Sequence, residues 1–308
     1  NFAAGMRHGS AEAADAAFAK AAHVVELTLE NQRLAPASIE PRGVLGTYDA
    51  AADRITLRMS TQMPSGVRDT LCDAVLGIPR ENMRVTVGDV GGGFGMKTGA
   101  YTEDAVIAFA TRHVQRPVKW IAERSEEFLS AVHGRDLLSH ASMALDADGR
   151  VLALRVKSLA NVGAYATPTG VAIQLLIGPW VSTSIYDIQT IDFDLRAVLT
   201  NACPTGAYRG AGRPEAIYTI ERLMDAAARK LGMDPAELRK RNMIRPEQMP
   251  YKNPMGQTYD TGAFASITTQ AQALADWNGF EARAAQSKAR GKVRGRGLPP
   301  LTPYSVKY

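Results

Sequence analysis

The sequence predicts an α+β fold in which two mixed lobes face one cleft. Two observations lead there. Both halves of the chain run through the same order of elements: hairpin, long connection, strand, glycine-containing loop, helix. Each glycine-containing loop also follows directly on a strand-like run. Residues 83–87 lead into Gly88-Asp89-Val90-Gly91-Gly92-Gly93-Phe94-Gly95-Met96-Lys97, and residues 191–199 lead into a loop centred on Tyr208-Arg209-Gly210. No repeat of fixed period accompanies this order, so the likeness is one of architecture.

An alanine-rich helix is expected over 11–22, with Glu12 and Asp15 early and Lys20 late to suit the helix dipole. Strands follow at 24–29, 43–48 and 54–59, the last two joined by the turn 49–53. Pro64 opens a helix reaching residue 75, the strand 83–87 delivers the first loop, and 102–114 has helical spacing. A short buried strand at 117–122 precedes the polar stretch 123–127. The second unit begins with strands 137–145 and 151–160 around Asp146-Ala147-Asp148-Gly149, a hairpin turn. A Gly- and Pro-rich loop over 163–179, the strand 191–199 and a helix over 215–231 complete it. Residues 266–283 read as helical, 287–296 as basic, and Leu298-Pro299-Pro300-Leu301-Thr302-Pro303-Tyr304 as extended. The expected divisions are therefore 1–135, 136–264 and 265–308.

The 308 residues, 45% of them hydrophobic, suffice for two packed cores. No run approaches the ~18 apolar residues of a membrane span, and the first residues lack a charged segment followed by an apolar core, so neither a span nor a signal peptide is expected. Cys72 and Cys203 fit a reducing compartment, which points to the cytoplasm, and have no metal-ligand spacing. The net charge of +5 is concentrated in Lys288, Arg290, Lys292, Arg294 and Arg296. No aromatic RNA-binding motif or recognition helix accompanies this tail, so it reads as a solvated surface and not as a nucleic-acid site.

The chemistry sits in the two loops. Five glycines between Gly88 and Gly95 bring bare backbone close to something, and successive N–H groups there form a concavity suited to anionic or oxo groups. Phe94 adds a wall and Lys97 a charge. A dinucleotide fingerprint does not fit, since no acidic strand end follows about 20 residues on.

Together with Ser60-Thr61-Gln62, these loops resemble the large, molybdenum-cofactor-binding subunit of the xanthine oxidase family, which includes aldehyde oxidoreductase and aerobic carbon monoxide dehydrogenase. Further matching stretches are Ile39-Glu40-Pro41-Arg42, Arg116-Pro117-Val118-Lys119-Trp120, Asn161-Val162-Gly163-Ala164-Tyr165 and Asp234 to Asn242. The resemblance runs in order from about residue 15 to about residue 295. It implies lobes of the molybdenum-cofactor-binding type, and a molybdenum-molybdopterin cofactor in a cytosine dinucleotide form. Iron–sulfur and FAD centres would sit on partner subunits. It also implies that the protein offers backbone donors and side-chain hydrogen bonds rather than direct metal ligands. Gln62 matches a glutamine that donates to the apical oxo group. Gly92, Gly93, Phe94 and Gly95 match the loop over the metal, where Phe94 walls the substrate slot. Ala207, Tyr208, Arg209 and Gly210 match the second loop, with Arg213 available to Glu40 or a phosphate.

Several residues depart from the pattern. Gly210 and Ala211 follow Arg209 where copper-containing carbon monoxide dehydrogenases carry a cysteine, which argues against CO oxidation. Thr98 and Ile177 replace the polar residues of purine-oxidising members, so an aldehyde or N-heteroaromatic substrate fits better. The segment 170–177 is expected to line an apolar slot. The glutamate that acts as general base is not matched by Glu103, Glu126 or Glu215, and the stretch after Gly297 leaves the family pattern. The chain is therefore expected to be one half of a split molybdenum subunit. It would work with the other half, an iron–sulfur subunit and an FAD subunit, and oxidise a small molecule with water as oxygen source. The alternative is a non-catalytic, truncated remnant of such a subunit.

Overall fold

The computed structural model describes residues 1–298. The chain runs through β1 (Phe2–Gly9), α1 (Ala11–Ala19), β2 (His23–Asn31), β3 (Gly43–Asp49), β4 (Arg54–Met59) and α2 (Pro64–Thr70). It continues with β5 (Met83–Thr86), α3 (Thr102–Val114), β6 (Val118–Ile121), α4 (Arg124–Ser130), β7 (Leu137–Leu145) and β8 (Val151–Gly163). Then come α5 (Pro168–Ala172), β9 (Ile191–Leu199), α6 (Arg213–Leu231), α7 (Pro235–Asn242), a short hairpin of β10 (Tyr251–Lys252) and β11 (Thr258–Tyr259), α8 (Phe264–Leu274) and α9 (Phe280–Ala289). No helix among the described residues is long and apolar enough to cross a membrane.

Two sheets organise these elements. A four-stranded sheet, ordered β5-β4-β3-β6, pairs β4 with β5 in parallel and is otherwise antiparallel. Its core is Val44, Ile55, Leu57, Val67, Leu71 and Ile107, to which β3, β4, α2 and α3 each contribute inward apolar residues. A five-stranded sheet, ordered β1-β9-β8-β7-β2, has one parallel pair, β8 with β9. Its core joins Met143, Leu154, Phe193 and Leu195 to Ile220, Leu223, Met224 and Ala227 of α6. Residues 2–31 belong to this second sheet, because β1 pairs with β9 and β2 with β7 as its two edges. The range 1–135 expected to form the first unit therefore gives two strands to the other sheet.

Local chemistry explains the element ends. Ser10 caps α1 by accepting from the Ala13 amide, and Asp234 caps α7 by accepting from Ala236 and Glu237. In the β7–β8 hairpin, the Asp146 carboxylate accepts from the Asp148 and Arg150 amides, while Gly149 takes φ +83°. Three segments depart from the sequence reading. Residues 124–130, which begin in the stretch 123–127 read as polar, form α4, whose Glu126 reaches back to the Glu123 amide. The region 163–179, read as loop, contains α5 and a π-turn over 173–177 that buries Ile173, Gln174 and Leu175. Leu175 of this segment joins the second core, with Val171 packed against it. Residues 266–283, read as one helix, divide into α8 and α9 at Asp276, which takes φ +45°. The Pro-rich stretch from Pro299 onward lies outside the described residues.

Arg42 ties the first unit together. Its guanidinium is 5% exposed and reaches Glu127 and Glu103, each at 3.2 Å, and Ser130 at 2.6 Å, while its plane lies 3.8 Å from the Tyr101 ring. Glu127 is fully buried. Removing one partner of such a pair leaves an uncompensated charge. We predict that Arg42→Ala lowers unfolding free energy by about 3–5 kcal/mol; a urea titration showing a loss below about 1 kcal/mol would mean the pair is dispensable. Asp104 supplies a second test. Its carboxylate accepts from the Tyr101 amide to cap α3, and burial pushes its pKa from 3.8 up to about 6. Its contribution to stability is fully present below the unfolded value and is lost as pH rises through about 6. Asp104→Asn should flatten the stability–pH curve between roughly pH 4 and 6, and an unchanged slope there would count against this.

Candidate functional site

The first loop is built around a buried lysine. Lys97 is 1% exposed, and its ammonium donates to the Glu40 carbonyl at 2.8 Å, the Glu40 carboxylate at 3.1 Å and the Ser60 hydroxyl at 2.6 Å. The same carboxylate accepts from Ser60 at 2.6 Å and from the Gly91 amide at 2.8 Å. Burial opposes ionisation of Glu40, but the hydrogen bonds from Ser60, Gly91 and Lys97, with the Lys97 charge, hold its pKa below the ordinary value. Lys97 was expected to lend a positive charge to the cleft. It is instead consumed inside the loop's foundation, where its backbone carbonyl also accepts from the Gln62 amide and the Thr61 hydroxyl.

That foundation aims Gln62. The Gln62 side-chain carbonyl accepts from the Gly95 amide at 2.8 Å, which leaves its NH2 without a protein partner among the described residues. A Cβ on Gly93 would come within 2.4 Å of the Gln62 Oε1, and a Cβ on Gly95 within 2.7 Å of the Ala207 carbonyl oxygen. These two positions are glycine because Gln62 and the second loop occupy the space. Phe94 sits between them at φ +53° with its ring 44% exposed. Thr98 donates to the Gly95 carbonyl and closes the turn.

The second loop meets the first through one main-chain bond: the Arg209 amide donates to the Phe94 carbonyl at 2.9 Å. Gln62, the 92–95 loop and the 207–210 loop, predicted from separate parts of the sequence, thus form one surface. The Gln62, Phe94 and Arg209 side chains are exposed on it. Among the described residues, the amides of Gly92, Gly93, Phe94, Ala207, Tyr208 and Gly210 donate to no protein acceptor. Orphan N–H groups in adjoining loops are donors left over for oxygen ligands. No group of three or more His, Cys, Asp or Glu that could hold a metal occurs among the described residues. Any cofactor here would be held by hydrogen bonds, and this donor set fits a group rich in oxo and phosphate oxygens.

Other named residues fall into place. Arg213, offered to Glu40 by the sequence, has a guanidinium bond to the Gly210 carbonyl, while Glu40 is engaged with Lys97 and Ser60. Cys203 is half-buried, its thiol donating to the Leu129 carbonyl. Glu103 pairs with Arg42 and Glu126 caps α4. Glu215, read as a helix-face carboxylate, is 5% exposed and faces Arg135. Arg135 is the residue the sequence did not disclose. It lies in the left-handed region at φ +67°, and its guanidinium donates to the Tyr208 and Arg209 carbonyls. Nothing in a run such as His133-Gly134-Arg135-Asp136 announces that contact, which depends on residues more than seventy positions away.

Comparison with known proteins now decides the family. Residues 1–243 match the molybdopterin cofactor-binding domain. The chain belongs to that family. Its sequence is 34% identical over 286 residues to the nicotine 6-hydroxylase large subunit of Paenarthrobacter nicotinovorans, covering 92% of this chain and 35% of that protein. It is likewise 34% identical to the carbon monoxide dehydrogenase large chain of Hydrogenophaga pseudoflava, covering 91% of this chain and 35% of that one. Quinoline 2-oxidoreductase from Pseudomonas putida 86 superposes with a TM-score of 0.89 at 34% identity, over 94% of this chain and 37% of its own. Aldehyde oxidoreductase from Desulfovibrio gigas, at 24% identity and a TM-score of 0.82, shares the fold. This molybdopterin cofactor-binding domain thus spans about 35% of the length of the curated relatives it matches.

The tight fit between Gly93 and Gln62 makes a prediction. Gly93→Ala should destabilise the protein, and Gln62→Gly in the same chain should restore much of the loss, because the two groups compete for one space. Additive losses in a double-mutant cycle followed by thermal melting would refute the proposed competition.

Proposed function

We propose that this chain forms part of a molybdopterin-dependent hydroxylase or dehydrogenase that oxidises an N-heteroaromatic or aldehyde carbon with water as oxygen source. The observation that carries the reading is the presence of the free Gln62 NH2 and six unpartnered amides in two loops joined by the Arg209–Phe94 bond. The amides of 92–94 and of 207, 208 and 210 would hold the cofactor's oxygen atoms, and Gln62 would donate to an oxo group without altering its charge. Bound there, the molybdenum centre supplies electron-accepting and oxygen-transfer chemistry. Phe94 would form an apolar wall for a flat substrate, and Arg209 would add a cationic grip beside it.

The substrate class is supported by the relatives, whose names include nicotine and quinoline at 34% identity. Carbon monoxide fits less well, since Gly210 and Ala211 follow Arg209 and the Cys203 thiol is engaged with Leu129. Relatives named as a large subunit, a large chain and a complex subunit support partner subunits. Iron–sulfur and FAD subunits would accept the electrons, and a further polypeptide region would supply the general-base glutamate. A cytosine dinucleotide form of the cofactor and a cytoplasmic site of action complete the proposal.

Elemental analysis of natively purified protein, with intact masses of every co-purifying chain, tests this. About one molybdenum per copy together with partner chains is the expected result. Metal-free protein travelling alone would replace this reading with that of a non-catalytic remnant.

A further inference from the structure

We propose that Arg135 and Glu215 are positioning residues that set the direction in which the second loop presents its amides and, through the loop contact, fix Gln62. The inference rests on the reading that this surface faces a cofactor, but its geometry is independent of that reading. The Arg135 guanidinium donates to the Arg209 carbonyl at 2.7 Å and to the Tyr208 carbonyl at 3.2 Å, and lies 5.0 Å from the centre of the Tyr208 ring. Glu215, in the first turn of α6, faces it at 3.4 Å. Both side chains are more than nine-tenths buried.

Peptide planarity converts this grip into direction. In a trans peptide unit the C=O and the following N–H point opposite ways. With the Arg209 carbonyl turned to Arg135, the Gly210 N–H must point away from Arg135, and it finds no acceptor among the described residues. With the Tyr208 carbonyl held by Arg135, the Arg209 N–H meets the Phe94 carbonyl. The next unit repeats the pattern: Phe94 accepts from Arg209, and the Gly95 N–H donates to Gln62. Two planar units therefore connect Glu215 and Arg135 to the Gln62 side chain without a break, and bonds in such a series polarise one another.

Glu215 has spare capacity. Its Oε2 has no protein partner among the described residues and belongs to a residue bordering a chamber of about 50 Å3, also lined by Ser139, Ser158, Gln174, Ser182 and Thr219. Leu137, Leu154, Val156, Phe193 and Leu195 also line it, and a chamber of this size has room for a water beside the polar groups. Water on Oε2 would satisfy the carboxylate and leave the other oxygen to Arg135. Burial raises the Glu215 pKa, and the Arg135 charge opposes that rise.

Amide hydrogen exchange, resolved to single residues on the full chain, tests the assignment without any cofactor. In the wild-type protein, the Arg209 and Gly95 amides should show matched protection, because one opening event exposes both. In Glu215→Gln, both should exchange roughly ten- to hundred-fold faster, the loss expected for charge-assisted bonds, while β3 and β4 amides stay unchanged. Glu215→Asp should recover part of the protection. Arg209 and Gly95 amides that differ widely in the wild type, or uniform acceleration across the whole protein in Glu215→Gln, would overturn the proposal. If the variant does not fold, the wild-type comparison alone still decides. Molybdenum content plays no part in this readout, so the functional reading can fail while the positioning pair stands, or the reverse.

Discussion

The site depends on one peptide unit, the one between Phe94 and Gly95. Its carbonyl is taken by the Arg209 amide and its N–H by the Gln62 side chain. Because the unit is planar, fixing both ends fixes the orientation of the whole segment. Three distant parts of the chain therefore meet at this unit. The other loop amides are left over after this bond is made. Unpaired donors are costly in a protein interior; here Phe94 and Gly210 are exposed, while Gly93 is buried.

Two ion pairs with buried cations stand behind that unit, one on each side; Glu40 is partly exposed, whereas Glu215 is buried. Lys97 with Glu40 supports the first loop, and Arg135 with Glu215 supports the second. In each case the cation spends its remaining donors on main-chain carbonyls or a hydroxyl, and not on solvent. Buried pairs contribute little net stability compared with apolar packing of equal volume. Their value here is directional, since each holds backbone groups at angles that packing alone would leave free. The cores of the two sheets then need only keep β5 and β9 in place, the strands that deliver the loops.

Much of this was legible beforehand. Strand periodicity placed β3, β4, β7, β8 and β9 closely, since alternation of apolar residues reports a buried sheet face directly. The glycine spacing from Gly91 to Gly95 announced a close approach, and the structure supplies its causes, among them Glu40 at Gly91, Gln62 at Gly93 and Ala207 at Gly95. The misreadings share a different origin. Residues 123–127 look polar because the start of α4 buries little besides Glu127, which it presents to Arg42. Residues 163–179 look like loop because Gly170, Gly178 and Pro179 interrupt the pattern, although α5 and the turn after it still pack. β1 carried no strong strand signal because it is an edge, completed by β9 rather than by its own sequence.

By itself the sequence determined the fold class, the family resemblance and the residues of both loops, because local propensities and glycine requirements are written into short segments. Only the tertiary structure decided what those residues do to one another. Lys97 faces inward instead of toward the cleft, and Glu215 is a buried partner of Arg135. The first-half strands β1 and β2 complete the second sheet. Each of these outcomes is a contact across at least fifty residues, and the energy of such a contact resides in the pair, so neither partner's local sequence can display it.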